Sequence, residues 1–69
     1  MIVYTYVVCD LLHIGHLNLF RQARKLGDYL IVGVTSDDGV EAYKRRPVQS
    51  FEERSEIVRE LRMVDRVVM

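Results

Sequence analysis

The sequence predicts an α/β fold in which a parallel sheet carries helices on both faces, giving three layers. Two apolar runs without charged residues, residues 2–8 and 29–34, have the composition of strands buried in a parallel sheet. Between them, residues 17–26 place apolar side chains at helical spacing. A strand, a helix and a strand with short connections form a βαβ unit, whose crossover is right-handed.

Each following segment carries a local signal for its structure. In the first helix an apolar stripe is predicted to face the sheet, and Gly27 is predicted to end the helix. The stripe consists of Leu17, Phe20, Ala23 and Leu26. Residues 35–38 combine turn and N-cap types, with Asp37 and Asp38 as caps, and predict a short helix to about residue 43.

The last third of the chain predicts one more helix and one more strand. Ser50 and Glu53 fit a capping box for a helix to about residue 63, with Ile57, Val58 and Leu61 facing the sheet. Residues 66–69 predict a third strand. The resulting βαβαβ order is Rossmann-like and corresponds to the first half of a doubly wound domain, so we expect residues 1–69 to form one incomplete domain.

Composition excludes several classes of function. The 69 residues carry a formal net charge of zero, which argues against binding to nucleic acid. The sequence shows no membrane span and no signal peptide, and its single cysteine fits a reduced thiol, so we expect a cytoplasmic protein. A three-stranded sheet leaves apolar surface uncovered, so a homodimer is a further expectation.

The connection from the first strand to the first helix is the candidate functional site. His13 and His16 lie here with Gly15 between them, at the point where the helix begins. A helix N-terminus attracts phosphate through unpaired amides and its dipole, and imidazoles donate to phosphate oxygens. Paired histidines also occur in metal sites, but no third ligand is evident, so we predict a nucleotide triphosphate, or another phosphorylated ligand, and no protein-held metal.

The same residues resemble the HxGH signature of the nucleotidyltransferase superfamily. The wider sequence is similar to the cytidylyltransferases, most of all to those that act on glycerol 3-phosphate. The resemblance covers almost the whole chain, in the family's order and spacing. Its segments are residues 10–16 (DLLHIGH), 26–32 (LGDYLIV), 35–37 (TSD), 51–54 (FEER) and 64–65 (VD).

The resemblance implies a reaction. CMP would be transferred from CTP to a phosphorylated alcohol such as glycerol 3-phosphate, pyrophosphate would be released, and Mg²⁺ would accompany the nucleotide. Family members are about twice this long, and their second half carries residues that grip the triphosphate and the base. A non-catalytic or assembly half, and an adenylyltransferase of the same superfamily, therefore stay open as alternatives.

The resemblance also implies roles for individual residues. His13, His16 and Lys44 would be catalytic, and the nucleotide-binding set would be Val8, Cys9, Asp10, His13, Gly15, His16 and Arg45. For Asp10, a carboxylate near the phosphates and a cap on backbone amides are equally open. For Lys44 and Arg45, the register of the phosphate-binding lysine is uncertain by one position.

One stretch departs from the family pattern. Where the family has Gly-Thr-Phe before the aspartate, this chain has Val7, Val8 and Cys9. The branched Val7 is expected to crowd the nucleotide, and Val8 removes a hydroxyl. Cys9 is expected to be a small buried residue and not a nucleophile. Arg54 is expected to be structural and to pair with a nearby carboxylate.

Overall fold

The computed structural model describes residues 1–42 and 46–69. Three strands and three helices alternate in the order β1, α1, β2, α2, α3, β3. The strands are β1 (Ile2–Val7), β2 (Tyr29–Val34) and β3 (Arg66–Val68). The helices are α1 (Ile14–Lys25), α2 (Asp37–Glu41) and α3 (Phe51–Arg59).

The strands form one parallel sheet with β2 in the middle. The spatial order is β1-β2-β3, and Val7 is paired with Val34, so β1 and β2 end at the same edge of the sheet. The turns that follow these strands therefore begin side by side. The α/β class, the parallel sheet and the βαβαβ order predicted from the sequence are confirmed.

The two longer helices pack on the same face of the sheet. Leu30, Val32 and Val34 alternate along β2, and they share the hydrophobic core with Phe20 of α1 and Val58 of α3. The prediction of helices on both faces is wrong for α1 and α3. Both crossovers step across the sheet in one direction, and right-handed crossovers with a common direction place their helices on a common side.

The opposite face of the sheet is largely uncovered in the described part of the chain. Ile2, Tyr4 and Tyr6 of β1 are 67%, 50% and 61% exposed, and Tyr29 of β2 joins them at 39%. The prediction that β1 is buried on both faces is therefore wrong, because β1 is an edge strand with one covered side. Of the three described strands, β2 is the one in which most residues are buried, as expected of a central strand.

Helix ends differ from the predictions by a few residues. Helix α1 ends at Lys25, so Leu26 becomes its C-cap and is 69% exposed instead of facing the sheet. Helix α3 ends at Arg59 and not near residue 63, although Leu61 still packs against the core. The predicted end of the short helix near residue 43 lies outside the described residues, and helix α2 ends at Glu41.

Candidate functional site at the start of helix α1

The candidate site lies at the edge where β1 and β2 end. The amide and hydroxyl of Thr35, which follows β2, both donate to the carbonyl of Val7, at 3.0 and 3.3 Å. These bonds hold the turn after β1 beside the turn after β2. Ligands of open α/β sheets bind outside this edge.

His13 and His16 cap helix α1 reciprocally. The Gly15 amide donates to Nδ1 of His13 at 3.0 Å, and the His13 amide donates to Nδ1 of His16 at 3.1 Å. The ring centroids are 4.1 Å apart with planes inclined by 41°. The two imidazoles are therefore held against each other by the backbone of the helix start.

The caps determine which ring nitrogen carries the proton. A neutral imidazole that accepts through Nδ1 carries its hydrogen on Nε2, so both rings keep an Nε2–H donor for a ligand. Partial burial lowers the pKa of His16, and the neighbouring His13 lowers it further. His16 therefore favours the neutral form, which the cap requires.

The backbone amides contribute less than the sequence led us to expect. The Gly15 amide is engaged by Nδ1 of His13, and the His16 amide donates to the His13 carbonyl at 3.0 Å. An anion at this helix start is therefore met chiefly by imidazole donors and by the helix dipole. Helix α1 has no acidic residue in its first turn, so its dipole is not neutralised there.

Gly15 is required by the packing of His13 and not by backbone conformation. A Cβ at this position would lie 2.8 Å from Cε1 and 3.0 Å from Nδ1 of His13. A side chain would therefore push the His13 ring out of its cap. The absence of a side chain at Gly15 therefore allows the His13 imidazole to approach the backbone closely.

Asp10 caps a distant loop. Its Oδ2 accepts from the Val48 amide at 2.8 Å, and its Oδ1 accepts from the Gln49 amide at 2.9 Å. Of the two alternatives left open by the sequence, the cap on backbone amides is observed. Its amide partners lie 38 and 39 residues away along the chain, where a sequence pattern gave no indication of them.

Val7 and Cys9 turn their side chains into the protein. Val7 packs against the core, and Cys9 belongs to it at 3% exposure. Burial raises the pKa of the Cys9 thiol to about 11, which keeps it protonated near neutral pH. The expectation that Val7 crowds a bound nucleotide is not supported by this placement, whereas Cys9 has the buried position expected of it.

Arg54 is fully buried and joins three segments. It donates to the carbonyls of Val8 and Gln49 at 2.8 and 3.0 Å, and to Oδ1 of Asp37 at 2.6 Å. The expected carboxylate partner is Asp37, whose pKa is lowered chiefly by this hydrogen bond.

The N-cap of α2 is Ser36, whose hydroxyl accepts from the Gly39 amide at 3.1 Å. The caps were predicted at Asp37 and Asp38, which instead lie in the first turn of the helix.

A family model described as cytidylyltransferase-like matches residues 8–69, which include both histidines and the latter two strands. The chain belongs to the cytidylyltransferase-like family. This match covers most of the chain and agrees with the resemblance found in the HxGH motif. The family is one of nucleotidyltransferases.

Individual relatives support the same assignment. An FAD synthase of Thermococcus sibiricus is 49% identical over 63 residues, which are 90% of this chain and 43% of that protein. A glycerol-3-phosphate cytidylyltransferase of Staphylococcus aureus is 39% identical over 66 residues, which are 96% of this chain and 50% of that protein. The chain thus spans about half the length of these relatives.

A solved structure shares the fold of this chain over almost its whole length. The crystal structure of a lipopolysaccharide core biosynthesis protein from Thermoplasma volcanium GSS1 superposes with a TM-score of 0.96 at 32% identity. The superposition covers 99% of this chain and 56% of that one. The one-sided three-stranded sheet therefore corresponds to a part of a larger relative.

Two residues predicted for the candidate site lie outside the described part of the chain. Lys44 and Arg45, predicted to contact phosphate, lie outside the described residues. Within residues 1–42 and 46–69, no group of three or more His, Cys, Asp or Glu side chains is arranged to hold a metal ion. Over those same residues, no helix is long and apolar enough to cross a membrane.

Gln49 is the site residue that the sequence did not reveal. Its side-chain Oε1 accepts from the Leu11 amide at 2.9 Å, and its own amide and carbonyl bind Asp10 and Arg54. Nothing in the local sequence distinguishes it from an ordinary loop glutamine. Only the long-range pairing of residues 48–49 with the turn after β1 shows its role.

Proposed function

We propose that this chain is the triphosphate-binding part of a nucleotidyltransferase, with His13 and His16 donating to the phosphates. The observation that carries the proposal is the reciprocal imidazole cap, which uses Nδ1 of each ring and leaves Nε2–H to a ligand. Family membership supports it, because the cap is built from the HxGH residues. Gly15 belongs to this site as the residue that lets the His13 ring lie close to the backbone.

The proposed reaction is a displacement at phosphorus. A phosphate oxygen of the acceptor attacks the α-phosphorus of the nucleotide and forms a new P–O bond. The bond from the α-phosphorus to the bridging oxygen of the β-phosphate breaks, and pyrophosphate leaves with that electron pair. Neutral imidazoles stabilise charge developing on the phosphate oxygens by hydrogen bonding, with no covalent intermediate.

Other predicted groups complete the proposed site. Lys44 as a catalytic cation and Arg45 as a nucleotide ligand would add positive charge beside the phosphates. Val8, Cys9 and Asp10 would contribute through the backbone and position of the turn after β1. Mg²⁺ would enter bound to the triphosphate and neutralise part of its charge, since the described residues offer no protein cage for it.

We propose cytidylyl transfer from CTP to a phosphorylated alcohol such as glycerol 3-phosphate. The glycerol-3-phosphate cytidylyltransferase of Staphylococcus aureus, which aligns over 96% of this chain, supports this choice. Adenylyl transfer is the second candidate, because the FAD synthase relative is 49% identical. A non-catalytic binding or assembly half is the third. A cytoplasmic homodimer remains part of the proposal.

Triphosphate binding can be tested on the 69-residue chain itself. Inorganic tripolyphosphate, CTP and ATP should each shift the side-chain NMR signals of His13 and His16, and the neutral Nε2–H tautomer should be seen before and after addition. His16→Ala should weaken binding by about tenfold, because the Nε2–H donor to a charged group is lost. The exposed Asn18→Ala is the matched control and should bind as the wild type does.

The choice of substrates needs a separate measurement. The chain is incubated with Mg²⁺, with CTP or ATP, and with glycerol 3-phosphate, phosphoethanolamine or FMN, and pyrophosphate release is followed. CDP-glycerol as the main product would support the first candidate, and FAD would support the second. Binding without any product would support a non-catalytic half. If tripolyphosphate, CTP and ATP all fail to shift the NMR signals of His13 and His16, the proposed site is overturned.

A further inference from the structure

Four hydrogen bonds fasten the turn after β1 to α3 and to the loop before it. Asp10 accepts from the Val48 and Gln49 amides, at 2.8 and 2.9 Å. Gln49 Oε1 accepts from the Leu11 amide at 2.9 Å, and Arg54 donates to the Val8 carbonyl at 2.8 Å. We call the three side chains that make these bonds, Asp10, Gln49 and Arg54, the latch.

The segment that the latch grips is strained. Cys9 and Leu11 both have φ of 59°, the left-handed region that residues other than glycine seldom adopt. Asp10 lies between them. Such conformations persist only where surrounding contacts over-determine them, and they are concentrated at ligand sites.

Each latch bond acts next to a strained residue. Arg54 holds the carbonyl of Val8, which directly precedes Cys9, and Gln49 holds the amide of Leu11 itself. Both Asp10 oxygens accept between the two. The chain direction at Leu11 sets where His13 begins the cap two residues later.

We propose that the latch positions the phosphate-binding imidazoles, and that Asp10, Gln49 and Arg54 act on the reaction through the turn and not by touching substrate. This inference rests on the proposed function for its ligand. Gln49 is the central member, because its amide, carbonyl and side chain each bind a different segment or partner. Releasing the latch lets Cys9 and Leu11 relax, which displaces His13.

The test compares Gln49→Met with the exposed helix α1 variant Gln22→Met. The first change removes the acceptor for the Leu11 amide while keeping the length of the side chain. Hydrogen exchange of the Leu11 amide should become much faster, and tripolyphosphate should bind about tenfold more weakly at His13 and His16. Gln22→Met should change neither quantity.

A rescue distinguishes positioning from simple loss of structure. Asparagine tolerates the left-handed region far better than leucine, and Leu11 is 53% exposed. Leu11→Asn added to Gln49→Met should restore tripolyphosphate binding to within about threefold of the wild type. No rescue, or wild-type binding by Gln49→Met with its Leu11 amide released, would overturn the proposed latch.

The latch can still be tested if the wild type does not bind tripolyphosphate, or if Gln49→Met does not fold. If the wild type binds no tripolyphosphate, the proposed function fails, and exchange of the Leu11, Val48 and Gln49 amides still tests the latch. These three amides should exchange as one protected unit, and fast exchange in the wild type would overturn the latch. If Gln49→Met does not fold, slower exchange of the same amides on adding tripolyphosphate to the wild type supports it, and unchanged exchange overturns it.

Discussion

Helices α1 and α3 both begin with a reciprocal side-chain cap, but the two caps are built from different chemistry. At α3, Ser50 Oγ accepts from the Glu53 amide and Glu53 Oε1 accepts from the Ser50 amide, both at 3.2 Å. At α1, Nδ1 of His13 accepts from the Gly15 amide at 3.0 Å, and Nδ1 of His16 accepts from the His13 amide at 3.1 Å. Both helix starts therefore satisfy backbone amides through a reciprocal pair of side chains.

The two starts differ in charge and in spare donors. The first turn of α3 contains Glu52 and Glu53, whereas α1 has no acidic residue there. Carboxylates neutralise the positive end of the α3 dipole and repel anions. The imidazoles of α1 leave the dipole available and add Nε2–H donors. Capping by histidine thus stabilises a helix start while keeping it open to phosphate, which a Ser–Glu pair does not.

The largest effect on phosphate binding is expected from His16→Glu, which gives α1 the same residue type at N3 as α3. The helix should persist, because glutamate at N3 completes a capping box. Binding of tripolyphosphate should fall by about a hundredfold or more, since a donor is replaced by a negative charge. NMR titration measures the affinity, and circular dichroism checks the helix.

The control for that change is Glu53→Gln at α3, which also fits a capping box and removes a charge. It should leave tripolyphosphate affinity within about twofold of the wild type. Equal losses in both variants would mean that the helix starts do not differ as described.

Gly15→Ala should have the next largest effect. The added Cβ meets the His13 ring at 2.8 Å, so the ring must leave its cap. Loss of the cap costs about 1 kcal/mol, but alanine favours the helix over glycine by a similar amount, so the free energy of unfolding should change little. Tripolyphosphate binding should weaken by about tenfold.

Asn18→Ala on the same helix is the comparison for this variant, with urea unfolding and NMR titration as the measurements. Unchanged affinity in Gly15→Ala would show that the position of the His13 ring does not matter for binding.

Ser50→Ala tests the other helix start. It should lower the free energy of unfolding by about 1 kcal/mol, because the Glu53 amide loses its acceptor. Affinity for tripolyphosphate should be unchanged if the chain is folded, since α3 presents no anion site. Urea unfolding and titration at a temperature below the transition separate the two quantities.

The smallest expected effect is a pH dependence from His16. Its folded-state pKa is lowered by burial and by His13, so below about pH 6.5 the unfolded chain binds more protons at this residue. The free energy of unfolding should therefore fall as the pH drops from about 7 through the folded pKa of His16.

Urea unfolding between about pH 5 and 8 measures this slope in the wild type and in His16→Gln. Glutamine keeps an acceptor at N3 but does not titrate, so its slope should be shallower. The same slope in both proteins would assign the pH dependence to other groups.

The sequence was sufficient for the α/β class and for locating the candidate site. Apolar runs gave the two main strands, and the His13–His16 motif marked the helix start, because local composition and spacing record these features directly. The sequence was not sufficient to predict on which face of the sheet each helix packs. Whether α1 and α3 share a face depends on the direction in which both crossovers step, and a strand order does not appear in a local pattern.

The same limit applies to the residues around the site. Asp10, Gln49 and Arg54 are distant in sequence, so their mutual role appears only when the loop before α3 folds against the turn after β1. The sequence by itself determined the strands, the helix starts and the imidazole pair, since these depend on neighbours a few residues away. Only the tertiary structure decided which backbone amides the caps engage, which face of the sheet stays open and what holds Leu11 in its strained conformation. These features depend on contacts between distant segments.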